Sequence, residues 1–159
     1  MNQRSATAED ETFLYEVYAG TRRNEVAEWG FGTREIELFL QMQHRARQAS
    51  YSAAYPDAVC RVIYAADKPI GSLQVYYGSE SIVLIDIALL PEARGKGVGS
   101  AVLLELQQKA AQLGLPVMLH VDNANVLARK LYGKLGFKET MADEIYTEMR
   151  WEPPAGRAT

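Results

Sequence analysis

Six consecutive residues near the middle of the chain, Arg94-Gly95-Lys96-Gly97-Val98-Gly99, stand between an apolar, strand-like run and an amphipathic helical one. In a turn of this kind successive backbone amides point outward without partners, and the helix dipole behind them favours negative charge. The stretch is therefore a phosphate cradle. A side chain at Gly97 or Gly99 would hold an anion away from the backbone, while Arg94 and Lys96 can add charge-assisted bonds. Shortly before the cradle, Asp86 places a carboxylate inside the otherwise apolar run 82–90. Burial there disfavours the charged form and moves the carboxyl pKa up toward the range of a general base, unless a cation or hydrogen bonds hold it charged. A second titratable group, His120, sits in the apolar run Val117-Met118-Leu119-His120-Val121.

Three kinds of phosphate loop compete for the glycine turn. A P-loop requires four residues between its first glycine and a Gly-Lys-Ser or Gly-Lys-Thr ending, and no such string occurs, which removes nucleotide triphosphatases. The dinucleotide fingerprint fits better, since Gly95 and Gly97 match its first two glycines and Asp122 ends the next strand. Its third glycine, however, falls on Ser100, and only one short helix and two strands follow where further β-α units are needed.

The elements that must position these groups follow from periodicity. Residues 4–7 read as a short strand, and Asp10 as the N-cap of a helix carrying Phe13, Leu14, Val17 and Tyr18 on one face. A second helix spans 33–50 with the face Ile36, Phe39, Leu40 and Gln43. From residue 58 the period changes. Residues 59–65 and 70–77 are β-branched and aromatic runs joined at Asp67-Lys68-Pro69, a hairpin, and 81–90 is a third strand stopped by Pro91. After the glycine turn comes a helix with Leu103, Leu106, Ala110 and Leu113 inward, closed by Gly114. Residues 117–121 form another strand, 125–135 a shorter helix with Ala128, Leu131 and Leu135 inward, ended by Gly136, and 137–141 and 144–151 two last strands. The order is β, α, α, β, β, β, α, β, α, β, β, an α/β domain with a mixed sheet.

In this setting Arg94, Gly97 and Gly99 resemble the cofactor motif of the GNAT superfamily of N-acetyltransferases, in which Gln or Arg is followed by two residues, Gly, one residue, and Gly or Ala. Residues 125–137, with Asn125, Ala128, Tyr132, Gly136 and Phe137 in register, resemble the same family's second motif. The close likeness covers about 82–137, and the element order extends it over most of the chain. It implies a single-domain GNAT-like fold, a mixed and mostly antiparallel sheet of about seven strands flanked by about four helices, over residues 1–152, with 153–159 a flexible tail. It further implies acetyl-CoA as cosubstrate and no metal. The backbone of Ile87, Ala88 and Leu89 would bond the pantetheine arm like an added strand, and amides from Arg94 through Gly95, Lys96, Gly97, Val98 and Gly99 would hold the pyrophosphate. Asn125 would contact the arm, a role compatible with N-capping its helix, and Tyr132 would protonate the departing thiolate.

Acetyl transfer to an amine needs a neutral amine, a polarised carbonyl and a proton for sulfur, and no covalent intermediate. A lysine-like amine is neutral in only about one molecule in two thousand at pH 7, so a base matters greatly for it and much less for a peptide N-terminus. The catalytic candidates are accordingly Tyr132, Asp86 and His120. A phenol, with pKa near 10, is a donor at neutral pH and suits a thiolate leaving group. His120 stands where some N-terminal-peptide acetyltransferases of the family carry a carboxylate base, and strand parity would let Asp86 share its cleft. The resemblance walls the acceptor site with the early helices and last strands, nominating Tyr18, Arg22, Glu25, Trp29, Tyr51, Tyr55 and Tyr146. The acceptor is then a primary amine on a small molecule or a protein. An alternative is a CoA-binding regulatory domain without turnover.

Composition bounds the rest. In 159 residues, 48% apolar, there is material for one core. A net charge of −3 offers no footprint for nucleic acid or an anionic membrane. The longest apolar run, 82–90, is far short of the roughly 20 residues that span a bilayer, and residues 1–10 have no signal-peptide core, so a cytoplasmic address is expected. The one cysteine, Cys60, is expected in the core, and with only His44 and His120 beside it a Cys/His metal site is not available. A homodimer through the final strands or the early helices is open.

Overall fold

The computed structural model of the chain describes residues 2–154, so most of the tail expected at 153–159 lies outside the described residues. Seven strands, β1 (Asn2–Ser5), β2 (Val59–Ala65), β3 (Lys68–Tyr77), β4 (Ile82–Leu89), β5 (Val117–Asp122), β6 (Lys138–Ala142) and β7 (Tyr146–Trp151), form a sheet in the order β1-β2-β3-β4-β5-β7-β6. Five helices accompany it: α1 (Glu11–Gly20), α2 (Arg23–Ala27), α3 (Thr33–Ala54), α4 (Val98–Leu113) and α5 (Val126–Lys134). The described residues up to Gln74, with Asp86–Lys96, make one unit, and Val75–Ile85 with the described residues from Gly97 onward make the other. No helix among the described residues is long and apolar enough to cross a membrane.

In the first unit β1 lies antiparallel to β2, Asn2 opposite Tyr64 and Ser5 opposite Arg61. Asp10 does not cap α1 with its side chain. Its carboxylate instead accepts from both terminal nitrogens of Arg4, at 2.8 and 2.6 Å, and from the Thr7 backbone amide at 2.7 Å, fastening the strand to the turn that precedes the helix. Tyr18, Ala19, Val26 and Leu40 are buried together, with Tyr15, Ile36 and Phe39 packed on them. The five residues of α2 were not legible in the polar stretch 22–28, and tertiary burial of Val26 holds them. Helix α3 runs past residue 50 because Ser52, Ala53 and Ala54 tolerate helix, and it stops at Tyr55, the residue before Pro56.

The β2-β3 hairpin turns at Ala66 and Asp67, one position earlier than Asp67-Lys68-Pro69, with Ala66 in the left-handed region at φ 55°. Within the same unit Gly71 of β3 meets the backbone of β4 closely. A Cβ there would fall 2.5 Å from the Ala88 carbonyl oxygen and 2.7 Å from Leu89 Cδ2, so only glycine fits without moving backbone.

In the second unit β5 is parallel to β4 through Ile82–Val117, Val83–Met118 and Leu84–Leu119, and antiparallel to β7 along its whole length. Helix α4 buries Val102, Leu103, Leu106, Gln107 and Ala110. Leu113, expected inward, is exposed, because the helix is closing on Gly114 at φ 70° there. Full burial of a side chain such as Leu103 stabilises by about 1.5–3 kcal/mol. Strand β6 closes the sheet beside β7, with a bulge between Glu139 and Met141.

Candidate active site

The glycine turn is shaped by alternating constraints. Strand β4 ends at Leu89, Pro91–Ala93 make a single tight turn, and the Arg94 side chain folds back so that Nε donates to the Leu89 carbonyl at 3.1 Å. Gly95 at φ 73° and Gly97 at φ 81° then take the left-handed conformation that side-chain-bearing residues avoid. A Cβ at either would meet nothing within 4 Å, so their requirement is conformational and the space before them is open. Helix α4 begins immediately, and its N-cap is Gly97 itself, which offers no capping side chain. With no acidic residue in the first turn either, the opening amides and the positive end of the dipole remain for an anion. These features fit the diphosphate of coenzyme A.

In the second unit Asn125 accepts from the Ala128 amide at 3.2 Å, the N-cap role foreseen for it. Asp122 holds the loop before it by accepting from the Ala124 amide at 2.8 Å. Tyr132 is buried on α5 with its ring centroid 5.7 Å from that of Phe137, and its carbonyl accepts from the Phe137 amide at 3.0 Å. The turn at Gly136, φ 93°, is braced by Gln107 of α4, whose Nε2 donates to the Leu135 carbonyl at 2.8 Å. His120 is half-exposed and stands 3.5 Å from the Glu148 carboxylate, its register partner on β7.

Asp86 belongs to the first unit and has different company. The Arg47 guanidinium reaches its Oδ1 at 3.4 Å and is stacked over the rings of Tyr18 and Tyr51, 5.0 and 5.4 Å from their centroids. A small polar cavity of about 20 Å³ lies against the carboxylate, lined also by His44, Cys60, Ser72 and Gln74. Burial pushes the Asp86 carboxyl above the usual carboxylate range; the Arg47 charge, the Ile87 amide and His44 oppose the shift without cancelling it. Gln74 donates to Gln48 at 2.9 Å while its own Oε1 is buried without a protein partner. Cys60 is half-buried on the cavity wall rather than in the core, and burial pushes its thiol up, away from thiolate chemistry.

Sequence reasoning singled out Asp86 but missed Arg47, His44 and Gln48. The signal was present: His44, Arg47, Gln48 and Tyr51 recur at helical spacing, a polar stripe along α3 where the apolar face was sought. Of the acceptor-site nominees, Tyr18 and Tyr51 flank Arg47, and Arg22 pairs with Glu25 at 3.4 Å. Trp29 is exposed and meets Phe31 and Phe39 edge to face, Tyr55 ends α3, and Tyr146 is exposed on β7.

A model of the acetyltransferase (GNAT) family matches residues 14–137, a span that includes the glycine turn and the segment from Asn125 to Phe137. The chain belongs to this family. Over 82 residues, 51% of the chain, it is 38% identical to a mycothiol acetyltransferase of Thermobispora bispora, and that match covers 24% of the relative. The chain therefore matches only about a quarter of that curated relative's length. Its fold is similar to that of the PaiA N-acetyltransferase of Thermoplasma acidophilum in complex with coenzyme A, with a TM-score of 0.72 and 22% identity over 95% of this chain and 98% of that one. It is also similar to the ribosomal-protein-S18-alanine N-acetyltransferase of Escherichia coli, with a TM-score of 0.68 and 18% identity over 99% and 97%. The GNAT fold expected from the motifs, a seven-stranded and mostly antiparallel sheet with flanking helices, is the one observed. Within this GNAT frame the polar cavity at Asp86 is the feature that the two motifs did not announce.

Proposed function

We propose that this GNAT family member transfers the acetyl group of acetyl-CoA to a primary amine by direct attack in a ternary complex. The observation that carries the reading is the start of α4: two left-handed glycines, an uncapped helix N-terminus and no acidic residue in its first turn, all within the family match. The fold likeness to a protein crystallised with coenzyme A supports it. In this reading the amides of residues 94–99 hold the pyrophosphate, with Arg94 and Lys96 adding charge, and the backbone of Ile87, Ala88 and Leu89 bonds the pantetheine arm. Asn125 approaches the same arm.

Chemistry then requires three acts. Asp86 takes the proton of the attacking ammonium; its upward shift brings it nearer to neutral pH, where a carboxylate makes a more effective base. A backbone amide near Leu89 donates to the thioester oxygen as it gains charge. The Tyr132 phenol gives its proton to the departing thiolate. His120 is the second base candidate, and its pairing with Glu148 would let it serve an acceptor approaching over β5 and β7. The acceptor is an amine of a small molecule or a protein in the cytoplasm; neither nucleic acid nor membrane enters the scheme.

The test is thermal stabilisation by acetyl-CoA, CoA and NAD at equal concentration, followed by thiol release across an amine panel. A ligand present at a hundred times its Kd stabilises by about 2.7 kcal/mol, roughly 5–10 °C for a domain of this size. Stabilisation by both CoA forms but not NAD, with thiol release on adding an amine, is the expected result. Stabilisation without consumption by any amine would make the protein a CoA-binding regulatory domain. No stabilisation by either CoA form would remove the enzyme assignment and leave the fold.

A further inference from the structure

The first unit holds two arginine–aspartate pairs of opposite character. Between Arg4 and Asp10 the guanidinium closes on the carboxylate with two bonds, of 2.8 and 2.6 Å, and the Asp10 carboxyl is held well below its usual range. Between Arg47 and Asp86 there is a single contact of 3.4 Å, longer than the roughly 2.7–2.9 Å of a closed charge-assisted bond, and the carboxyl is pushed up instead. Neither partner is sealed from solvent, the two side chains being 38% and 30% exposed. Arg47 is kept in place by its position over the rings of Tyr18 and Tyr51, and one long contact with Asp86 uses at most one of a guanidinium's several N–H donors. The cavity beside Asp86 holds the complement, an acceptor without a donor. Gln74 lines it, its amide anchored by donating from Nε2 to Gln48 Oε1 at 2.9 Å, while its own Oε1 is buried without a partner among the described residues. A buried acceptor left unpaired costs stability, and an arrangement kept at that cost is explained by a donor that arrives with a ligand.

We propose that this site selects an α-amino acid as acceptor, with the amine bound at Asp86 and Gln74 and the carboxylate on Arg47. The proposal rests on the acetyltransferase reading and narrows its acceptor. A cavity of about 20 Å³ has room for one water-sized group, which suits the head of a primary amine and not the substituents of a secondary or tertiary one. Asp86 and Gln74 Oε1 accept from that head, with Ser72 also on the cavity wall. In an α-amino acid the ammonium and the carboxylate are borne by one carbon, so such a molecule meets a neighbouring anion and cation each with its opposite, and Asp86 and Arg47 stand side by side at 3.4 Å. The planar fork of Arg47 can take a carboxylate through two parallel bonds, which a lysine would not reproduce. A diamine or polyamine would instead bring a second cation against Arg47. In the reaction one ammonium proton passes to Asp86, which is exposed enough to release it to water. The freed lone pair forms the C–N bond to the acetyl carbon, the C–S bond breaks with its pair on sulfur, and the second ammonium proton ends on that sulfur. The products are an N-acetylated amino acid and the CoA thiol.

The test sets the proteinogenic α-amino acids against their amides and their decarboxylated amines, measuring thiol release from acetyl-CoA by wild type, Arg47→Gln, Arg47→Lys and Gln74→Leu alongside stabilisation by acetyl-CoA. Wild type should use at least one amino acid with kcat/KM about tenfold or more above that of its amide and its decarboxylated amine. In Arg47→Gln the acid should lose this advantage through a rise in its KM, and in Arg47→Lys it should keep part of it, while acetyl-CoA still stabilises both variants. Gln74→Leu should raise KM for acid and amide alike and keep their ratio, which separates the amine end of the site from the carboxylate end. The comparison of substrates on wild-type protein decides even if a variant folds poorly. Amides or simple amines used as well as any acid, a preference for the acid that survives Arg47→Gln, or a wild-type KM in Gln74→Leu would overturn the proposal and leave the acetyltransferase reading intact. Wild-type protein that binds acetyl-CoA yet consumes it with no amine would overturn both.

Discussion

The Arg47 guanidinium sits 3.4 Å from the Asp86 carboxylate and, held over two tyrosine rings, fails to bring that carboxyl down into the ordinary range. Stacking on Tyr18 and Tyr51 fixes where the cation can go, and a single contact at that distance offsets only part of the cost of burying the anion.

Replacing Asp86 by Asn should lower kcat by about a hundredfold or more at pH 7 with acetyl-CoA stabilisation retained. Because the folded-state pKa is raised, the carboxyl stabilises the fold while protonated, and that contribution is lost as pH rises through the folded value. Asp86→Asn should therefore melt no lower than wild type at pH 7, and any advantage should vanish on acidification. The wild-type rate should fall on the acid side at a pH above that of an ordinary aspartate. Melting curves and rates from pH 4 to 8 check all three statements.

For Tyr132→Phe, turnover should drop far more than acetyl-CoA affinity. The ring keeps its contact with Phe137, so little stability is at stake beyond the bonds of one hydroxyl, about 1 kcal/mol. Unchanged thiol release would withdraw the general-acid role.

At Gly97, φ 81° makes any side chain costly, so Gly97→Ala should destabilise by about 1–2 kcal/mol while the open space before it admits the methyl group. Gly97→Glu adds bulk and like charge where phosphate would sit and should abolish acetyl-CoA stabilisation. Titration of both variants with CoA separates the backbone effect from the anion effect.

Arg4→Gln probes the first unit by acid. Arg4 holds the Asp10 carboxyl well below its usual range, so their stabilisation is present above about pH 4 and fades as pH falls toward the folded value. The melting temperature of the variant should lie below that of wild type at pH 7, and the gap should narrow below pH 4.

Most of the framework was legible because periodicity and punctuation agree along it. Residues 59–65 were read as a strand with both ends correct, and Gly114 and Gly136 mark helix ends because each takes the left-handed conformation expected of it. Helix α2 was hidden because five residues carry no period, and only Val26, filling the space beside Leu40, shows why they coil. At the site, sequence supplied the groups that stand alone, Asp86 in its apolar run and the glycine turn. It withheld partners such as Arg47 and His44, which lie 39 and 42 positions before Asp86 and meet it only through the packing of α3. The meeting of His120 with Glu148 likewise follows from the β5-β7 register and not from local sequence.

Strand β6 ends the sheet, and the bulge between Glu139 and Met141 interrupts the regular spacing of its ladder. A free strand edge is a template on which another chain can polymerise, and an irregular, highly twisted edge bearing charges such as Lys138 and Glu139 is a poor one. The same kink disfavours the fusing of two sheets edge to edge at β6.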